Sequence, residues 1–195
     1  MDIVIRLERE ADRRRVEGLT REAFWNLHVP GCSEHLLAHN LRQCAAFIPE
    51  LDFVAVSDGQ IVGNIMFCRA KVKSDDGGDH DVITFGPLSV WPQHQGKGIG
   101  SALIKHAIQM AGIIGYNAVL IYGDPGYYHR FGFQRAETFH IRTAEGTYMD
   151  ALMALELYGG ALKGITGRFF EGEAYRVDEA RLAEFDQTFP PREKR

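Results

Sequence analysis

A single stretch, Val82 to Ser101 (VITFGPLSVWPQHQGKGIGS), constrains this chain more than any other. It opens as an apolar run, passes through Pro87 and Pro92, and closes on glycines at alternate positions, Gly96, Gly98 and Gly100. After them Ile99, Leu103, Ile104, Ala107, Ile108 and Ala111 recur at helical spacing. The order is strand, glycine-rich turn, helix. The first amides of a helix have no partner inside it, and the helix dipole concentrates positive charge there. Glycines let such a backbone bend and let a phosphate approach with no Cβ in the way. The stretch therefore predicts a pyrophosphate cradle, with an ordinary strand–helix turn as the plainer alternative.

Two familiar cradles are excluded by spelling. A Walker loop needs GxxxxGK[ST], and here Lys97 lies inside the glycine run with no Gly-Lys-Ser/Thr after it. A Rossmann fingerprint needs GxGxxG after the first strand of a βαβ unit, with an acid about 20 residues on. Gly96-Lys97-Gly98-Ile99-Gly100 has another spacing and follows a mid-chain strand. Gln95-x-x-Gly98-x-Gly100 instead resembles the acetyl-CoA loop of the GNAT acyltransferase superfamily, Gln/Arg-x-x-Gly-x-Gly/Ala. A second match follows. Ala118 to Tyr122 reads as a strand, and Tyr128 stands four before Gly132, with Phe133 completing the Tyr-x-x-x-Gly-Phe of the same superfamily. The run Asp124-Pro125-Gly126-Tyr127-Tyr128-His129-Arg130-Phe131-Gly132-Phe133 looks like a bacterial subgroup of predicted acetyltransferases.

The resemblance, which covers roughly residues 1 to 160, implies an α/β (α+β) fold. Its central sheet is mixed but mostly antiparallel, splayed at a bulge and flanked by helices. Residues 1–160 would form the acetyltransferase domain and 161–195 a C-terminal extension packed on it. Pro87 cannot donate to a ladder, so Gly86-Pro87 suits that bulge, with a simple edge-strand proline as the alternative. The cofactor implied is acetyl-CoA, with no metal. Gln95, Gly96, Lys97, Gly98, Ile99, Gly100 and Ser101 would hold its pyrophosphate, and Leu88, Ser89 and Val90 its pantetheine arm. Asp124 and Tyr127 would add cofactor contacts. Tyr128 matches the position of the general acid that protonates the leaving thiolate; packing on the cofactor is its plainer role. An unperturbed phenol near pKa ~10 is protonated at neutral pH and able to donate. Some relatives carry a glutamate on the central strand, yet Val82 to Val90 contains no carboxylate. A water relay to His80, Asp81 or Glu34, or an amine that arrives neutral, would then be needed. His28, Cys32, Glu34 and His35 fall where the segment between the first two helices lines the acceptor side, and Phe85 is a further substrate candidate. The function implied is direct acetyl transfer to a primary amine of a small molecule or peptide. A catalytically silent CoA-binding module is the alternative.

Whole-chain properties set wider limits. A length of 195 residues fits one domain with a real core. A net charge of −4 argues against nucleic-acid partners, which call for a basic face. Three cysteines (Cys32, Cys44, Cys68), none in a CxxC pair, suggest reduced thiols and a cytoplasmic protein. No run approaches the roughly 18 apolar residues of a membrane span. A monomer or homodimer is expected. His35 and His39 form a weak, solvated pair, and no Cys/His cluster has metal-ligand spacing.

The remaining elements follow from local pattern. Ile3 to Leu7 reads as a strand. Asp12 caps a first helix with Val16, Leu19, Ala23 and Phe24 inward, and Ser33 caps a second with Leu36, Leu37, Leu41 and Cys44 inward. Leu51–Val56 and Ile61–Phe67 flank Asp58-Gly59 as a hairpin. Met149–Leu157, Arg168–Phe170 and Ala174–Val177 read as strands. Asp178 caps a last helix carrying Leu182, Ala183 and Phe185, and Pro190–Arg195 reads as a loose tail.

Overall fold

The computed structural model describes residues 2–195. The chain forms two compact units. The first holds residues up to Met66, Pro87–His106 and Glu173–Arg195; the second holds Phe67–Gly86 and Ala107–Gly172. Among the described residues nine strands are paired, most of them antiparallel.

In the first unit β1 (Val4–Leu7) pairs antiparallel with β2 (Phe53–Ser57), and β2 with the start of β3 (Gln60–Ser74). The hairpin turns on Asp58 and Gly59, both at positive φ (49° and 75°), the geometry whose twist matches paired strands. Helices α1 (Arg13–Phe24), α2 (Glu34–Leu41) and α5 (Glu179–Asp186) belong to this unit, as does the N-terminal half of α3 (Ile99–Ile114). Val16 and Leu19 of α1 are buried against Val54 and Ile61 of the strands. Asp178 caps α5 as its sequence predicts, accepting from the N–H groups of Ala180 and Arg181.

Six local expectations are corrected here. Asp12 stands before α1, but its carboxylate accepts from Arg6 (2.6 and 3.0 Å) and the Arg9 N–H (2.8 Å), leaving α1 uncapped by it. Ser33 likewise makes no side-chain cap, and Cys44 lies beyond the end of α2. His35 and His39 are not a solvated pair. His35 is fully buried between the rings of Phe185 and Phe189, while His39 bonds Glu17 at 2.9 Å. Residues 173–175 form a 3-10 turn instead of part of a strand. The tail is also tied down: the Glu193 carbonyl accepts from Trp25 Nε1 (2.9 Å) and Asn26 Nδ2 (3.1 Å), and Arg192 pairs with Glu22.

Gly63 of β3 fixes how closely α3 can approach. A Cβ there would stand 3.0 Å from Ile99 Cγ2, 3.1 Å from Leu103 Cδ1 and 3.1 Å from the Ser89 carbonyl oxygen. Gly63→Ala is therefore expected to destabilise the protein by about 1–3 kcal/mol, the usual cost of overpacking. Chemical denaturation measures it directly, and an unchanged midpoint would show that α3 can give way.

In the second unit β4 (Asp79–Val90, as far as Gly86) pairs in parallel with β5 (Ala118–Tyr122), registering at Ile83 and Val119. Past that pair Gly86 takes φ +155°, a backbone conformation that side-chain-bearing residues rarely adopt, next to Pro87. β5 pairs antiparallel with β8 (Leu152–Glu156), which also carries the two-residue β6 (Gln134–Arg135). The end of β3 pairs antiparallel with β9 (Gly167–Phe170), and β9 in parallel with β7 (Ile141–Arg142). Ala70, Val72, Val82, Leu120, Leu152 and Phe169 form one buried cluster on this sheet. Among the described residues no helix is long and apolar enough to cross a membrane.

Candidate active site

The predicted cradle is built by the first unit. Trp91 N–H bonds the Val62 carbonyl (2.9 Å), anchoring the end of β4, and Pro92–His94 make one 3-10 turn. Gln95 then reaches back, its side-chain amide donating to the Val90 carbonyl at 3.1 Å. Its side chain thus braces the loop. Gly96 and Gly98 sit at φ +73° and +83°, in the left-handed region, and α3 begins at Ile99 with Ala102 N–H on the Gly98 carbonyl (2.9 Å). That hydrogen bond makes Ile99, Gly100 and Ser101 the first turn, whose N–H groups have no acceptor within the helix. A Cβ at Gly96 or Gly98 would meet no protein atom within 4 Å, so the backbone conformation, and not crowding by neighbouring residues, is what requires glycine there. Gln95, Gly96, Lys97 and Gly98 are exposed, with Lys97 adding positive charge beside the loop. Such an open, cationic helix start suits a diphosphate. Just before it, the Ser89 hydroxyl is buried and donates to Thr20 Oγ1 (3.1 Å), which in turn contacts Asn64 Oδ1 (3.4 Å). Only the backbone of Ser89 is left to meet a ligand, between the half-buried Leu88 and Val90.

The second unit positions Tyr128. α4 (Pro125–Tyr128) is a single turn, capped by Asp124 accepting from the Gly126 N–H at 2.9 Å, with Pro125 setting its first φ. Asp124 is therefore a helix cap. The Tyr128 ring lies among those of Tyr127 (5.1 Å), Phe133 (5.6 Å), Phe85 (5.9 Å) and Phe131 (6.4 Å). Gly123 forms the floor. A Cβ added there would fall 2.2 Å from Tyr128 Cε2, so no larger residue fits without moving the ring. Burial first, then the neighbouring Tyr127 and Asp124, raise the Tyr128 pKa above the ordinary phenol value. The hydroxyl stays protonated at neutral pH and is available as a donor. Phe85 is a buried wall of this aromatic nest.

The substrate candidates scatter. His28 is exposed on the loop after α1. Glu34 accepts from the Ser33 N–H at 2.9 Å. Cys32 and Ser33 join Tyr175, Val177, Glu179 and Lys194 around a cavity of about 630 Å³ whose lining does not include His28. Burial pushes the Cys32 thiol up to about 12 and the His35 imidazole down to about 4, so at neutral pH the thiol is protonated and the imidazole uncharged. Gly123 was missed by the sequence reading, although a glycine directly between strand and capped turn was a visible signal of close approach. Among the described residues no group of three His, Cys, Asp or Glu side chains is disposed to hold a metal.

Comparison with known proteins identifies the family. An acetyltransferase (GNAT) domain model matches residues 50–135. The chain is 31% identical over 166 residues to the uncharacterized N-acetyltransferase YhbS of Escherichia coli (strain K12), spanning 85% of this chain and 93% of that one. Among solved structures, the GNAT family N-acetyltransferase YhbS from Escherichia coli in complex with CoA superposes with a TM-score of 0.78 at 29% identity, covering 89% of this chain and 91% of its own. A GNAT family acetyltransferase from Brucella melitensis in complex with acetyl-CoA gives 0.72 at 26%, covering 90% and 99%. Shared over nearly its whole length with YhbS, and carrying the loop and the tyrosine turn in order, the chain belongs to the GNAT family of acetyltransferases.

Proposed function

We propose that this chain binds acetyl-CoA and moves its acetyl group directly onto a primary amine of a small molecule or peptide. The observation that carries the reading is the loop of two left-handed glycines, Gly96 and Gly98, opening on the free N–H groups of α3. The backbone N–H groups from Gly96 to Ser101 would hold the diphosphate, with Lys97 contributing a few tenths to about 1 kcal/mol as an exposed charge. The backbone of Leu88, Ser89 and Val90 would hold the pantetheine arm, and Tyr127 would pack beside it. When bound, the cofactor supplies an acetyl thioester, already activated for attack by nitrogen. Tyr128, kept protonated by its burial, donates to the departing sulfur. No protein nucleophile is required, and the Cys32 thiol, at about 12, stays protonated. That the two solved relatives carry CoA and acetyl-CoA supports the choice of cofactor.

Calorimetric titration with coenzyme A, followed by thiol release from acetyl-CoA in the presence of primary amines, tests the reading. Saturable binding and amine-dependent release are expected. A protein that takes up no heat from coenzyme A overturns it.

A further inference from the structure

In the second unit β9 lies between β3 and β7, antiparallel to the first and parallel to the second. Phe169 of β9 turns inward opposite Val72 of β3, and both are buried in the apolar cluster with Ile141 of β7. The residues that alternate with them face outward. They are Lys73 of β3, Arg168 of β9 and Arg142 of β7, and the register sets Arg168 directly opposite each of the other two. Three neighbouring strands therefore carry a cation at one level of one face. Like charges directly opposite work against strand pairing. Gly167 brings the strands closer still: an added Cβ would collide with the Lys73 carbonyl oxygen, so only glycine fits just before Arg168.

One of the three charges is cancelled. Arg142 donates to both oxygens of Asp75 (2.5 Å each), and the Asp75 N–H bonds the Thr166 carbonyl at 3.3 Å, fixing that carboxylate just past the end of β3. Two further acids are engaged elsewhere. Asp79 pairs with Lys71 at 3.0 Å, and Asp76 accepts from Ser74 and from the Gly78 N–H. Among the described residues neither Lys73 nor Arg168 pairs with a carboxylate. Lys73 instead lies over the Phe170 ring, 4.8 Å from its centre, a contact that steadies its ammonium group. Lys73, Ser74, Asp75, Arg168 and Phe170 together line a cleft of about 360 Å³.

We propose that this cleft binds a phosphate monoester dianion, as the free anion or carried on a small organic molecule, with Arg168 and Lys73 as its cationic contacts. None of its residues belongs to the diphosphate cradle, and the site does not depend on acetyl transfer. Charge decides the ligand class. With Asp75 neutralised by Arg142, the cleft offers two uncancelled positive charges. A carboxylate brings one negative charge, whereas a phosphate monoester brings about −1.5 to −2 at neutral pH, with three acceptor oxygens. The planar guanidinium of Arg168 can take two of those oxygens and the Lys73 ammonium the third. Such a ligand would also relieve the repulsion along the row, so its binding should stabilise the fold.

The test is calorimetric titration of the full chain with inorganic phosphate, glycerol 2-phosphate and acetate, each with and without saturating coenzyme A. Saturable binding of at least one phosphate at about 1 mM or below is expected, with acetate weaker by roughly 10-fold or more. The tighter of the two phosphates shows whether the ligand is the bare anion or an ester. Arg168→Ala and Lys73→Ala should each weaken binding roughly 10-fold or more, as loss of a charge-assisted contact does. Lys71→Ala removes the same charge from the same face, outside the cleft, and should change binding by less than about 2-fold because exposed charges are screened. The thermal midpoint should rise with glycerol 2-phosphate in the wild type and stay still in Arg168→Ala. Absence of saturable phosphate binding overturns the proposal. So does binding that vanishes when coenzyme A is added, which would place the phosphate in the cradle. Equal binding of acetate, unchanged binding in Arg168→Ala, or an equal loss in Lys71→Ala would overturn it as well. The readout is phosphate binding, so a failure of the acetyl-transfer reading leaves this result standing.

Discussion

Tyr128→Phe is expected to lower kcat roughly 10- to 1000-fold, the range of general-acid effects, while coenzyme A affinity measured by calorimetry barely moves. Phenylalanine keeps the ring outline, so the contacts with Phe85, Phe133 and Tyr127 survive and the fold has no reason to weaken. Only the hydroxyl is lost. Because burial raises its pKa, the wild-type donor remains protonated through the neutral and mildly alkaline range, and its titration should not limit the rate there. Gly123→Ala makes the complementary measurement. Its Cβ would stand 2.2 Å from Tyr128 Cε2, forcing the ring aside with the hydroxyl intact, and a comparable loss of kcat is expected. Full turnover in Tyr128→Phe would remove the phenol from the chemistry; full turnover in Gly123→Ala alone would mean that its exact placement is unimportant.

Gly98→Val should weaken coenzyme A binding by at least about 100-fold, or about 2.8 kcal/mol at 1.4 kcal/mol per tenfold. Gly98 sits at φ +83°, where a β-branched residue is a genuine outlier. Valine would drive the loop back to negative φ and turn the first N–H groups of α3 away from the space they face. The added Cβ would meet nothing within 4 Å, and the loop is exposed, so circular dichroism and the thermal midpoint should show a folded protein. A folded variant that still binds tightly would mean that the diphosphate is held elsewhere.

The elements that the sequence made legible are those specified within a few residues. The strand, glycine turn and helix around Gly96 and Gly98 and the Asp58-Gly59 hairpin depend on local spacing and backbone conformation, and both are found where they were expected, whereas Asp124, read as a cofactor contact, caps the turn before Tyr128. What escaped depends on partners far away in the chain. His35 reads as a polar helix position until Phe185 and Phe189 arrive from the C-terminal segment to enclose it. Asp12 has the composition of a cap, but Arg6 competes for its carboxylate with two hydrogen bonds. The two-residue strands β6 and β7 are too short to show any period. The pairing of β9 with β3, nearly a hundred positions earlier, gave no local signal.

β4 separates its two environments by nothing more than the alternation that sets Val82 in the apolar cluster and Phe85 beside Tyr128. Losing or gaining one residue between Val82 and Phe85 would swap them, turning the aromatic wall away from Tyr128 and into the apolar cluster. This strand can therefore change its letters through evolution far more easily than its length, and engineering around Tyr128 should keep its residue count fixed.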